Sequence, residues 1–102
     1  RDLYRDECSD AFRAALDALP AKDRSLLRYQ LIDGLSIDEI GALNGVHRAT
    51  AARWLAKVRD DLLERTRTEV QRRLGIASGD VDSILKLVHS RLDVSLERVL
   101  RP

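Results

Sequence analysis

The stretch Ser36–Lys57, SIDEIGALNGVHRATAARWLAK, decides how the rest of the chain is read. Glu39 follows Ser36 by three residues, the capping-box spacing. In that arrangement the serine oxygen accepts from a first-turn N–H while the glutamate reaches back to the serine N–H. A short helix is therefore predicted from Ser36, with Ile40 and Leu43 pointing inward. Gly41 between them is small enough to let another helix approach, at the usual cost of glycine inside a helix. Asn44-Gly45 ends that helix, glycine being free to take the left-handed conformation of a C-terminal turn, and Val46 plugs the corner. A second helix is predicted to start near His47, with Ala51, Trp54, Leu55 and Val58 forming an apolar set at i, i+3, i+4 and i+7. A small residue at the fifth place, glycine at the ninth and an aliphatic at the tenth make a helix-turn-helix pattern. Such a motif presents its second helix to the DNA major groove.

The opposite side of the second helix strengthens that reading. At roughly 100° per residue, Ala49, Ala52, Arg53, Ala56 and Lys57 fall on or near the exposed side, with Arg48 and Thr50 close to its N-terminus. Small residues let a helix backbone sit deep in a groove, and arginine and lysine reach base edges and phosphates. Helix propensity alone is the plainer account of the alanines.

Charge is distributed in the same sense. The 102 residues carry a net charge of +1, but residues 1–46 hold 6 basic and 9 acidic side chains, residues 47–73 hold 8 and 4, and residues 74–102 hold 4 of each. Positive charge thus gathers on the second helix and its continuation, where a nucleic-acid surface needs it. The length suits one domain with an appendage, able to bury a modest core without disulfide or metal. Cys8 is the single cysteine, which excludes an internal disulfide, suits a reducing cytosol, and reads as a buried small residue on an apolar helix face. No apolar run is long enough to span a membrane.

Outward from the central stretch, residues 3–18 read as a first helix. Tyr4, Cys8, Ala11, Phe12, Ala15, Leu16 and Leu19 lie at helical spacing on its inner side. Pro20 breaks it and opens a second helix over Ala21–Asp33, which buries Leu26, Leu27, Leu31 and Ile32 and stops at Gly34. Leu35 packs just ahead of the Ser36 cap. No breaker follows Lys57 until Gly75, so the second helix of the motif should run on to Leu74, roughly 27 residues in all. Leu62, Glu69 and Arg73 fall near its inner line, which predicts a second half only partly buried. The arginines at 65, 67, 72 and 73 suit either phosphate contact or a solvated face paired with Asp61, Glu64 and Glu69, and the paired face is the better reading. After a Gly75–Gly79 linker, Val81, Ile84, Leu85, Val88 and Leu92 predict an amphipathic helix over Asp80–Arg91. A last short helix capped by Asp93 carries Leu96, Val99 and Leu100. That pair reads most simply as a packing cap on the long helix.

Catalysis is not expected. His47 and His89 are far apart in sequence, neither has a second ligand at metal spacing, and no glycine-rich phosphate loop is present. No cofactor and no metal is implied.

The segment LPAKDRSLLRYQLIDGLSIDEIGALNGVHRATAARWLAKVRDDL resembles region 4 of bacterial sigma factors, the extracytoplasmic-function group in particular. The shared features are Leu19-Pro20 followed by Arg24, Leu26 and Leu27, then Gly34 to Ile40 as GLS-x-x-EI, Gly45 to Thr50 as G-V-x-x-x-T, and the later Leu55 and Arg59. The likeness spans about residues 6–74. It implies an all-α helical bundle with a helix-turn-helix, a long recognition helix and a C-terminal helical extension. That divides the chain into a domain over 1–74 and an extension over 75–102. The extension is similar to those of some family members and lies outside the basic family domain.

The resemblance further implies recognition of the −35 promoter element in double-stranded DNA and binding to the β flap of RNA polymerase core. An anti-sigma factor is a further partner, and the protein is expected in the bacterial cytoplasm, associated with the nucleoid, as a monomer or a weak dimer through the extension. Carried over by position, His47, Arg48, Thr50, Arg53 and Lys57 face the DNA, with Ser36 near a phosphate. Two positions depart from the family: Ala51 stands where valine is usual and Trp54 where a polar or basic residue is common, the indole being expected to fill space beside the smaller alanine. The chain opens on Arg1 and not methionine, and the resemblance implies a promoter-melting domain ahead of it in the gene. Two other readings compete: the output domain of a response regulator or small dimeric repressor, and a helical adaptor that binds only protein through residues 80–101.

Overall fold

The computed structural model describes residues 2–76, 79, 80 and 82. Four helices are defined between residues 2 and 74: α1 (Asp2–Ala18), α2 (Ala21–Leu31), α3 (Ile37–Leu43) and α4 (Arg48–Leu74). The helices expected at Asp80–Arg91 and after Asp93, with His89, lie outside the described residues apart from Asp80 and Asp82, as does the side chain of Tyr4.

Each helix boundary has a local cause. Helix α1 ends at the carbonyls of Asp17 and Leu19, both of which accept from one Arg24 guanidinium nitrogen, at 2.8 and 3.0 Å. Arginine near a helix C-terminus satisfies otherwise orphaned carbonyls and suits the dipole. Pro20, at φ −54°, then caps α2, and its fixed φ favours the helical start it precedes. The second helix stops at Leu31, two residues before the expected Asp33, because Asp33 N–H reaches five residues back to the Arg28 carbonyl, Gly34 turns left-handed at φ +69° and Leu35 N–H closes on the Tyr29 carbonyl. Leu31 and Ile32 consequently sit half-buried against the core, while Leu26 and Leu27 are fully inside it.

The core is a single seam along α4. Ala51, Leu55, Val58 and Leu62 meet Phe12, Ala15, Leu16 and Leu19 of α1, Leu26 and Leu27 of α2, and Ile40 of α3. Further along, Val70 meets Cys8 and Ala11, flanked by Leu74 and Ile76. The start of α1 therefore lies on the end of α4, so the two helices run antiparallel. Fully buried side chains such as Leu16, Leu27, Ile40, Leu62 and Val70 contribute about 1.5–3 kcal/mol each by burial. Surface ion pairs contribute about 0–1 kcal/mol, so apolar contact holds the bundle together. Burial, and secondarily the Glu7 carboxylate, raise the Cys8 thiol above its ordinary pKa. It packs as a small apolar group.

Two expectations need correction. The second half of α4 is not merely partly buried: Thr66 and Val70 are inside along with Leu62. Thr66 goes in because its hydroxyl donates to the Leu62 carbonyl at 2.7 Å, which removes the penalty of burying an unpaired polar group. Glu69 and Arg73 fall near this line as expected, half-buried on its flanks. Leu43 does not point inward; it is 59 % exposed. Ile37, Ile40 and Gly41 set the inner arc of α3, and at roughly 100° per residue Leu43 falls well off its centre.

Gly41, as its size suggests, admits a close approach: the turn at Val46 and the first residue of α4 both lie against it. A Cβ there would lie 2.8 Å from the Val46 carbonyl oxygen and 3.4 Å from the Arg48 nitrogen. The Gly41 carbonyl in turn accepts from Val46 N–H at 2.8 Å, so both faces of residue 41 are closed by backbone. Gly41→Val should lower stability by about 2 kcal/mol, the cost of forcing bulk into a packed site, and the melting temperature by roughly 10 °C. Gly41→Ala should cost less, since alanine regains about 1 kcal/mol of helix propensity. Thermal melts followed by circular dichroism check this, and equal melting temperatures for all three chains would refute the close approach.

Candidate nucleic-acid interface

The helix pair α3–α4 is built as the residues suggest. Ser36 Oγ accepts from Glu39 N–H at 3.1 Å and Glu39 Oε1 accepts from Ser36 N–H at 2.9 Å, completing the capping box. Asn44 Nδ2 donates to the Ile40 carbonyl at 2.8 Å, closing the end of α3. Gly45 sits at φ +68°, the left-handed region that glycine enters without steric cost. His47 is the N-cap of α4: its Nδ1 accepts from Ala49 N–H at 3.2 Å. Gly75, at φ +62°, is the C-cap, so α4 runs 27 residues unbroken.

On α4 the side opposite the core seam is open among the described residues. Ala49, Arg53, Ala56 and Lys57 are exposed and share the outward face, while Thr50 and Ala52 are half-buried on its two flanks. Arg53 Nη2 donates to Thr50 Oγ1 at 3.3 Å, which orients the guanidinium along the face. Of the six positions expected to meet DNA, Thr50, Arg53 and Lys57 come together as one stripe at i, i+3 and i+7. His47 lies exposed at its head, with one ring nitrogen already committed to the cap. Arg48 is exposed but turned toward α3, where its Nε donates to Asp38 Oδ1 at 2.7 Å. Ser36 is exposed at the α3 N-terminus, with its oxygen and its N–H both engaged by Glu39.

Trp54 is half-buried against the core beside fully buried Ala51, so the indole fills inner space and leaves the outward face to small and basic residues. Lys22 of α2 stands over its ring, 4.6 Å from the centroid, a cation–π contact that fixes both groups. The groove there is lined by Leu26, Trp54 and Val58, with Lys57 on one side and Asp60, Asp61 and Glu64 beyond. Carboxylates therefore follow Lys57 along this side of α4.

Downstream, Arg59 donates to the Gln30 side-chain oxygen at 3.1 Å, and the four arginines beyond it are tied up in ion pairs. Arg65 pairs with Asp61 at 3.0 Å, and Arg67 with Glu64 at 3.6 Å and with Asp82. Arg72 and Arg73 both pair with Glu69, at 2.8 and 3.1 Å, and Arg73 also reaches Glu7. Hydrogen bonds from Arg72 and then Arg73 hold the Glu69 carboxyl below its ordinary pKa. This is the paired, solvated face that the i,i+4 spacing indicates.

Two features were missed from sequence: Asp38 as the partner of Arg48, and Lys22 as the partner of Trp54. Both contacts cross a turn or join separate helices, so no periodicity within one helix signals them. Among the described residues no group of histidine, cysteine and carboxylate side chains is placed to hold a metal ion, and no helix is long and apolar enough to cross a membrane.

A capped helix, a glycine turn and a second helix with one face packed and the other open define a helix-turn-helix protein of the DNA-binding class. Comparison with protein families is more specific: the family described as sigma-70, region 4, matches residues 9–62. The chain belongs to that family, and is a sigma-factor-type DNA-binding domain. The matched span begins inside α1 and ends at Leu62, so it covers the helix-turn-helix and the seam beneath it but not the distal part of α4. No curated protein and no solved structure is significantly similar to the chain.

His47 serves as a cap whatever else it meets. His47→Ala should lower stability by about 0.5–1 kcal/mol and His47→Ser should restore it, as for other N-cap replacements. Urea unfolding of the three chains measures this, and an unaffected His47→Ala midpoint would show the cap to be idle.

Proposed function

We propose that this chain reads the −35 element of a promoter for an alternative sigma factor of the extracytoplasmic-function type, and brings RNA polymerase core to it through the β flap. The observation that carries this reading is the open α4 face, where Ala49 and Ala56 leave the backbone approachable and Arg53 and Lys57 supply the donors. Arg53, steadied by Thr50, is suited to a base edge in the major groove. Lys57 suits a backbone phosphate. His47 and Arg48 approach the duplex from the head of the helix, and Ser36 offers a hydroxyl proton to a phosphate at the rim. Asp38 and Glu39 on the same turn make Ser36 the weakest of the six.

Residues 75–102 form the separate C-terminal extension in this reading. An anti-sigma factor is the regulatory partner, the working compartment is the bacterial cytoplasm, and the domain acts as a monomer or a weak dimer.

One such module neutralises few phosphates, so binding by the isolated chain should be weak and salt-sensitive. Selection of duplexes from a randomised pool, followed by anisotropy titrations, should recover one short asymmetric site. Arg53→Ala should cost about 1–3 kcal/mol and relax preference at one position, whereas Lys57→Ala should weaken all duplexes alike and reduce the salt slope by about 1. The double variant should lose retention in a mobility assay. No retention by either the unaltered chain or the double variant would point to a protein-only adaptor, full retention by the double variant would overturn the role of the Arg53–Lys57 face, and a tight dimer on a palindrome would point to a repressor.

A further inference from the structure

The contact that ties α3 to α4 at the front of the motif involves an anion where a DNA-binding surface gains nothing from one. Asp38 Oδ1 accepts from Arg48 Nε at 2.7 Å, with the two side chains 70 % and 61 % exposed. Ten residues and the whole turn separate them in sequence, so the pair exists only because Gly41 lets the turn close. The carboxylate occupies one of the five N–H donors of the guanidinium and cancels its charge at the surface. Glu39 beside it is engaged with Ser36, so the rim of α3 opposes phosphate while the face of α4 attracts it.

We propose that Asp38 is a positioning residue that sets sequence discrimination: by holding Arg48 across the turn, it withholds that arginine from indiscriminate phosphate contact and releases it to a matching site. This rests on the DNA-binding reading above. Non-specific binding depends on the summed charge offered to the backbone, and a neutralised Arg48 adds nothing to it. An exposed pair is weak, so a base edge that accepts two guanidinium bonds at once outcompetes a single carboxylate bond, whereas a lone phosphate contact only exchanges one charged acceptor for another. Discrimination is a difference of affinities, and a repulsive group that subtracts more from the wrong complex widens it.

The test uses the full 102-residue chain with Asp38→Asn, Arg48→Ala and the double variant, and Asp38→Ala as a second replacement in case the amide disturbs the first turn of α3. Melting temperatures establish that each is folded. The probes are the duplex selected by the unaltered chain and a scrambled duplex of the same composition, titrated by anisotropy over a range of salt.

Asp38→Asn should bind the scrambled duplex roughly 3- to 10-fold tighter, with a salt slope steeper by about 1. Binding to the selected duplex should change by no more than about twofold, the released arginine having been available there already. The gain should vanish in the Arg48→Ala background. An equal gain on both duplexes, an undiminished gain without Arg48, or no gain at all overturns the proposal while leaving the DNA-binding reading intact. Failure of the unaltered chain to bind either duplex overturns both.

Discussion

Packing of α1 along α4 is the constraint on which the remaining geometry depends. Helix α4 is too polar on most of its surface to stand alone, and its inner line of Ala51, Leu55, Val58, Leu62, Thr66 and Val70 is covered from end to end. Because α1 takes the distal half and shares the proximal half with α2 and α3, the proximal turns of α4 are gripped on one side only. That one-sidedness leaves the Arg53–Lys57 face open. A core residue such as Leu62 thus acts on function indirectly, by fixing the rotation of α4 about its own axis.

Electrostatics then divides the long helix by use. Its first three turns carry Arg53 and Lys57 in the open, while its last turns carry four arginines held by Asp61, Glu64, Glu69, Glu7 and Asp82. Identical residue types therefore do different things according to what lies one helical turn away. A count of basic residues over 47–73 overstates the surface offered to a polyanion, because the distal guanidiniums are already partnered. The proximal patch is small, consistent with a module that needs other contacts to bind tightly.

Much of this was legible in the amino-acid order because the informative signals are local. The Ser36–Glu39 box, the left-handed Gly45 and the breaker-free run to Gly75 each act within a few residues, and the apolar spacing of α1 and α4 follows directly from helical geometry. The errors have a common source in tertiary context. The type of Leu43 suggests an inward position, but a seven-residue helix has room for one narrow inner arc, already filled by Ile37, Ile40 and Gly41. The polarity of Thr66 hides its burial, which needs only the carbonyl one turn back for its hydroxyl. Within the candidate site, the open stripe of Thr50, Arg53 and Lys57 followed from spacing. The turning of Arg48 toward Asp38 and the clamp of Lys22 on Trp54 did not, since each joins residues whose proximity the fold alone creates.

The unbroken length of α4 has a mechanical side. With no proline, glycine or bulge between Arg48 and Leu74, the helix is a stiff rod of about 40 Å, and nothing along it can flex to isolate one end from the other. Whatever grasps the distal turns steers the proximal ones as a tiller steers a rudder.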